Sequence, residues 1–251
     1  MNRLEGRRAL VTGGSRGLGA AVARRLAQEG CGVAVSGSRE SEHARAVIET
    51  IEARGGKAVL VTGDVGDEAA AAGIVERAAD ELGGLDIVVN SAGIWRGGRL
   101  KDANLDDWRE IWRINIMGTM HVTRAALPYL EAAAKDGALA SIVVMSSSVG
   151  FKGFPGDTAY ATTKAGLVGF TRALAKELAR KGITVNALTP GYINVGVTDE
   201  VPQKGRDMML ERIPLGRPGT ADEVAAAVAF LVSEGTYITG HTLDIDGGIE
   251  L

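Results

Sequence analysis

"ALVTGGSRGLG", residues 9–19, joins a short apolar run to a glycine-rich turn and then to the start of an alanine-rich stretch. Residues 9–12 read as a buried strand. The following "AAVARRLAQEG", residues 20–30, has helical periodicity and is closed by Gly30 in a C-cap position. A glycine turn between a strand and a helix is the setting of a phosphate-binding loop. Glycine lets the backbone approach a pyrophosphate, and the helix N-terminus supplies free N–H groups and positive potential. The spacing G-x-x-x-G-x-G, set by Gly13, Gly17 and Gly19, differs from the G-x-G-x-x-G dinucleotide fingerprint. It also lacks the Gly-Lys-Ser/Thr ending of a P-loop. By itself the stretch is either a nucleotide-phosphate site or a tight turn without a ligand.

The same alternation continues along the chain. Runs rich in β-branched residues recur at 32–36, 58–62, 86–90, 141–145, 183–188 and 242–245. Alanine-rich helical stretches separate them, and Leu167, Phe170, Leu174 and Leu178 form one stripe within 160–180. Strands alternating with helices predict βαβ units. The near-continuous apolar character of "DIVVN" (86–90) and "SIVVM" (141–145) predicts burial on both faces. The expected fold is α/β: one domain over 1–251, a Rossmann-type doubly wound parallel sheet of about seven strands with helices on both faces. Residues 191–220 break the rhythm, and a substrate lid is expected at about 191–214.

Composition excludes other classes. A net charge of −3 offers no basic surface for nucleic acid or an anionic membrane. No apolar run approaches the roughly 18 residues of a membrane span, and "MNRLEGRRALVTGG" lacks the apolar core of a signal peptide. A cytoplasmic protein is expected. Cys31 is the single cysteine, so no internal disulfide forms. His43, His121 and His241 share no ligand spacing, and no metal site is predicted. The 35 glycines are about twice the usual share, which fits many tight strand-to-helix turns.

"TAYATTKAG", residues 158–166, places Tyr160 and Lys164 four positions apart, on one face of a helix. An ammonium beside a phenol favours the phenolate and makes tyrosine a usable acid or base. Together, "TGGSRGLG" (12–19), "NSAG" (90–93), Asn115, Ser147, "YATTK" (160–164) and "PGYI" (190–193) resemble, in order and register, the short-chain dehydrogenase/reductase family. The resemblance runs from about residue 4 to the end. It is closest to 3-oxoacyl-[acyl-carrier-protein] reductase-like members, whose tails look like "YITGHTLDIDGG" (237–248).

The resemblance implies a nicotinamide cofactor held by Gly13, Ser15, Arg16, Gly17, Leu18 and Gly19 of the loop. Asp64 and Val65 would contact the adenine, and Asn90, Ala92 and Gly93 would line the cofactor at the fourth strand's end. Tyr160 and Lys164 would also touch it, with Pro190, Gly191 and Ile193 near the carboxamide. NAD users in this fold place a carboxylate at the end of the second strand, on the ribose 2′-hydroxyl. The aligned residue is Gly37. Arg16 and Arg39 offer charge-assisted bonds to a 2′-phosphate instead, and Ser38 adds a hydroxyl. NADP(H) is therefore expected over NAD(H).

The catalytic residues implied are Asn115, Ser147, Tyr160 and Lys164. Ser147 would hydrogen-bond the substrate carbonyl, with Ser148 as the alternative register, and Tyr160 would deliver the proton. Lys164 would lower the phenol's pKa and bond the nicotinamide ribose, and Asn115 would hold a water. Trp95, Ser148, Phe154, Tyr192 and Met208 are the candidate substrate pocket, with Phe151 and Met209 in the same segments. The implied function is an NADPH-dependent carbonyl reductase or alcohol dehydrogenase, with a 3-oxoacyl thioester as leading substrate. Alternatives are a small cyclic ketone, a sugar or another secondary alcohol and, in a different class, a non-catalytic NADP-binding sensor or scaffold. A homotetramer is implied, with the helices at 105–133 and 160–180 pairing across one interface. Two departures stand out. Val195 replaces the family's threonine, and "AAAKDGALAS" (132–141) holds Lys135 as its only basic residue, which weakens docking of an acyl carrier protein.

Overall fold

The computed structural model describes residues 3–195, 207 and 209–249. In chain order the strands are β1 (Arg8–Thr12), β2 (Gly32–Gly37), β3 (Ala58–Thr62), β4 (Ile87–Asn90), β5 (Ala140–Met145), β6 (Ile183–Pro190), β7 (Ile193–Asn194), β8 (Gly219–Thr220) and β9 (Thr242–Ile245). Seven of them form one sheet in the order β3-β2-β1-β4-β5-β6-β9, and every neighbouring pair is parallel. Each run read as a strand in the sequence is a strand of this sheet. The short β7–β8 ladder gave no sequence signal, since two residues carry no periodicity.

The helices are α1 (Gly17–Gln28), α2 (Glu42–Glu52), α3 (Glu68–Leu82), α4 (Leu105–Trp112), α5 (Gly118–Lys135), the single turn α6 (Val149–Lys152), α7 (Thr158–Leu178) and α8 (Ala221–Ser233). Two apolar cores, one on each face of the sheet, explain why the strands lack polar alternation. Ala9, Val11, Val33, Val35, Ile87 and Val89 face a core with α1, α2 and α8. Leu10, Ala34, Val88, Ile142 and Val144 face the other, with α3, α5 and α7. Side chains two apart in a strand share a face, so both sets are buried. The stripe on α7 is buried at Leu167, Leu174 and Leu178, and Phe170 is partly buried behind it.

The region expected as one helix over 105–133 is interrupted. Between α4 and α5 the turn Arg113–Met117 widens to a π-helix. Such insertions cluster where a side chain must be aimed away from a regular helix face, and this one carries Asn115.

At the opposite, N-terminal end of the sheet, buried Asp86 ties β1 to the start of β4. It accepts bonds from the Arg8 backbone N–H at 2.7 Å and from the Arg8 Nε and Nη2 at 2.8 Å each. Asp86 is 2% exposed, so its removal strands a partly buried guanidinium. Asp86→Ala is predicted to lower unfolding free energy by about 3 kcal/mol in urea melts, with little effect at the distant C-terminal edge.

Candidate active site

Thr12, Asn90, Met145 and Pro190 end β1, β4, β5 and β6, and strand order reverses between β1 and β4. Open parallel sheets bind ligands at such a switch point, beyond the strand C-termini. Both glycine-rich motifs meet there. Gly13 and Gly17 have positive φ, +63° and +55°. A Cβ on Gly13 would lie 2.8 Å from the Ala92 Cα, and one on Gly19 would overlap the Gly13 carbonyl. The Thr12 hydroxyl accepts the Ser91 and Ala92 N–H groups, at 3.1 Å each, and so fixes the two turns against each other. Helix α1 begins after Arg16 with no side-chain cap and no acidic residue in its first turn. Its N–H groups and positive pole therefore face outward from a concave backbone, which fits a pyrophosphate.

The end of β2 packs beside this loop. Gly14 N–H donates to the Ser36 carbonyl at 2.9 Å, and a Cβ on Gly37 would sit 3.6 Å from Ser15 Oγ. A carboxylate side chain at position 37 would occupy this contact. Arg16, Ser38 and Arg39 are exposed, and among the described residues neither arginine has an acidic partner. On the adenine side, Asp64 is bound by the Gly66 N–H and by Arg113 Nη1, both at 2.8 Å. Arg113 also forks onto Glu110. Val65 is buried against Gly118, where a Cβ would meet it at 2.7 Å. Asn90 is 3% exposed and donates to Thr123 Oγ1 at 3.0 Å, so its side chain faces the interior. At Asn90 it is therefore the backbone at the end of β4, not the side chain, that is left to line a cofactor.

Lys164 is the centre of the next cluster. It is 5% exposed, and its Nζ donates to the Met145 carbonyl at 2.7 Å. The same Nζ lies 5.5 Å from the Tyr160 ring centroid, within reach of a cation–π contact. Gly93 brings the β4 turn close, since a Cβ there would be 3.3 Å from Asn115 Oδ1 and 3.6 Å from Lys164 Nζ. Asn115 is fully buried in the widened turn. Its Oδ1 accepts the Ile94 N–H at 2.8 Å, and its Nδ2 donates to the Ile94 carbonyl at 3.0 Å and to Thr163 Oγ1 at 3.2 Å. The side chain is thus a brace between the β4 turn and α7. Only the backbone carbonyl, which also accepts from Thr119, is left for the water expected at this residue.

The three consecutive serines separate by geometry. Ser146 Oγ donates to the Lys164 carbonyl at 2.7 Å, whereas Ser147 Oγ accepts the Val149 N–H at 3.3 Å and lies near enough to the Tyr160 phenol to favour its phenolate. Ser148 is buried and its N–H donates to the Pro190 carbonyl at 3.1 Å. Burial pushes the Tyr160 phenol up to about 12, the nearby Ser147 hydroxyl opposes this, and the charge of Asp157 adds to it. Burial also brings the Lys164 ammonium down to about 8. Desolvation is the largest influence on both groups in the protein alone, and the lowering expected of the phenol belongs to Lys164 together with the charge of an oxidised nicotinamide.

Around this cluster, Trp95 is 48% exposed and its Nε1 donates to Asp157 Oδ1 at 2.8 Å. Phe154 is half-buried and Phe151 exposed. The Tyr192 carbonyl accepts the Gly219 N–H at 2.9 Å, and buried Ile193 packs on Gly219. Gly191 passes so close to Asp246 that a Cβ would lie 2.7 Å from the Asp246 Cβ. Val195 is partly buried against the core. Met208, and residues 196–206 of the expected lid, lie outside the described residues. Sequence reasoning missed Thr163, Asp157 and Arg113. Thr163 is inside the quoted motif, and Asp157 precedes Tyr160 by three and so shares its helix face. Arg113 gave no signal.

A family model described as enoyl-(acyl carrier protein) reductase matches residues 13–250. The 3-oxoacyl-[acyl-carrier-protein] reductase FabG of Thermotoga maritima is 40% identical over 248 residues, 98% of this chain and 99% of its own. The FabG of Staphylococcus aureus is 39% identical over 242 residues, 96% and 97% of the two chains. Among solved structures, a short-chain dehydrogenase from Burkholderia cenocepacia in complex with NADP has a TM-score of 0.92 at 41% identity, covering 99% of this chain and all of its own. A dehydrogenase/reductase from Sinorhizobium meliloti gives 0.93 at 37%, covering 99% and 96%.

A lysine whose folded-state pKa lies near 8, below its unfolded value of 10.5, costs stability at every pH under 8 and loses that cost as pH rises towards 10.5. Lys164→Met is therefore predicted to stabilise the protein by about 2 kcal/mol at pH 7, after allowing for the unpaired Met145 carbonyl. Urea unfolding should show the gain shrinking steadily between pH 8 and pH 10.5.

Proposed function

The chain belongs to the short-chain dehydrogenase/reductase family of oxidoreductases, and on that premise we propose that it reduces a ketone with NADPH, a 3-oxoacyl thioester being its leading substrate. The observation that carries the reading is the buried Lys164 ammonium 5.5 Å from the Tyr160 ring, with the Ser147 hydroxyl beside the phenol. Members of the family act on CH–OH/ketone pairs with a nicotinamide cofactor, which when bound supplies or accepts the hydride. All other steps fall to this chain's own side chains.

In this reading the Gly13–Gly19 loop and the α1 N-terminus hold the pyrophosphate, and Arg16 and Arg39 bind the 2′-phosphate. The absence of a side chain at Gly37 leaves that phosphate unopposed. Ser147 Oγ donates to the ketone oxygen, and Tyr160 Oη delivers the proton as negative charge grows there. A phenol held protonated by burial is in the form that reduction needs. The reverse reaction requires the phenolate, so it gains from any cation brought close to Tyr160. Lys164 supplies one such charge and hydrogen-bonds the cofactor's ribose. Asn115 and Thr163 hold the turn and helix on which these groups ride.

The substrate reading rests on the relatives' names, and the matched family model is described by a different reaction, reduction of an enoyl group. A Ser–Tyr pair on an oxygen favours the ketone. NADPH oxidation with acetoacetyl-CoA, crotonyl-CoA and cyclohexanone separates the cases. Turnover of acetoacetyl-CoA is expected. Turnover of crotonyl-CoA alone would replace ketone by enoyl reduction, and cyclohexanone alone would replace the thioester by a small cyclic ketone. We also infer a homotetramer. Trp112, Met117 and Met120 leave about two-fifths of their surface exposed along the widened turn and α5, apolar area that a second copy would cover.

Two mutational outcomes follow. Tyr160→Phe should retain NADPH binding by fluorescence titration while kcat falls by about a thousandfold or more. The double change Arg16→Ala, Arg39→Ala should raise KM for NADPH by about a hundredfold and leave KM for NADH within about twofold.

A further inference from the structure

Asp157 immediately precedes α7, where an aspartate ordinarily accepts from the first free N–H groups of the helix. It makes no such cap. Its Oδ1 instead takes the Trp95 indole N–H at 2.8 Å, across 62 residues of chain, and its Oδ2 has no partner among the described residues. The contact is held from both sides. Gly98 N–H donates to the Gly156 carbonyl at 2.8 Å, and the Trp95 ring lies on Gly97, where a Cβ would be 2.7 Å from Trp95 Cζ2. Both partners adjoin the reacting groups. Trp95 follows Gly93, which touches Lys164 and Asn115, and Asp157 shares the helix face of Tyr160 one turn earlier.

The forfeited cap is a local loss of helix stability. What it gives in return is a half-buried carboxylate fixed at the edge of the catalytic cluster. Arg96 and Lys164 bring positive charge to the same region and keep it, since each bonds a neutral carbonyl, that of Trp95 and that of Met145, and among the described residues neither forms an ion pair with Asp157. The Asp157 field already acts on Tyr160, raising its phenol.

We propose that Asp157, aimed by Trp95, is a charge filter on the substrate: the site takes ketones that are neutral beside the reacting carbonyl and rejects those that carry a carboxylate there. A 3-oxoacyl thioester or ester passes, and a free 3-oxo acid does not. Two charges several ångströms apart at a partly wet surface are enough for about a tenfold discrimination. The inference rests on the ketone-reductase reading and deepens it.

The test compares kcat/KM for ethyl acetoacetate, acetoacetate and the choline ester of acetoacetate, in the native protein and in Asp157→Asn, with NADPH oxidation as readout. The native protein should rank the choline ester at or above the ethyl ester and both well above the free acid. In Asp157→Asn the ester-to-acid ratio should fall about tenfold, through a lower KM for the acid. Turnover with the same ratio in both proteins overturns the filter and leaves the ketone reading standing. Should the variant fail to fold, the native ranking decides: an acid reduced as well as the esters overturns the filter. Lack of turnover on all three, with NADPH still bound, overturns the ketone reading and the filter with it.

Discussion

Lys164 keeps only 5% of its surface, and an ammonium so placed is costly unless partners meet it. The residues around it answer that constraint. Met145 ends β5 and turns its carbonyl onto Nζ at 2.7 Å. Gly93 has no side chain, so the β4 turn closes over the same nitrogen. Gly150 lets α6 lie on α7, where a Cβ would be 2.8 Å from the Ala165 nitrogen. The Ser146 hydroxyl ties the end of β5 to the Lys164 carbonyl, which leaves its neighbour Ser147 facing Tyr160. An interaction this poorly solvated is retained at the expense of stability, a pattern usual for residues kept for chemistry.

The fold was legible because its signal is repeated. The central strands β1, β2, β4, β5 and β6 are buried on both faces, so runs such as "DIVVN" and "SIVVM" stand out, and their C-terminal ends all lead to one edge. What escaped is local. The widened turn at Arg113–Met117 has no glycine or proline to mark it. It exists because Asn115 must reach the backbone of Ile94 and the hydroxyl of Thr163, contacts 21 and 48 residues away in sequence. Nothing within one helix encodes such a demand.

The site was legible in its positions and less so in its physics. Glycines with positive φ, the uncapped start of α1 and the bare end of β2 lie where the motifs placed them. The electrostatics differ. A sequence shows that a lysine sits one turn from a tyrosine but not that both are desolvated. Burial lifts the phenol and depresses the ammonium. Asp157 works in the same direction as burial, and its alliance with Trp95 depends on two loops meeting through Gly98 and Gly156. The resulting Tyr160 is protonated in the protein alone, the form that the proposed ketone reduction needs.

The central claim is that burial raises this phenol in the protein alone and that a further cation brought near lowers it. Ultraviolet difference titration at the phenolate band, native protein against Tyr160→Phe, measures it directly. The account predicts no Tyr160 phenolate up to about pH 10 in the protein alone, and its appearance well below pH 10 once the oxidised nicotinamide cofactor is bound. A Tyr160 phenolate present below pH 9 without cofactor, or a titration that cofactor leaves unmoved, would contradict it.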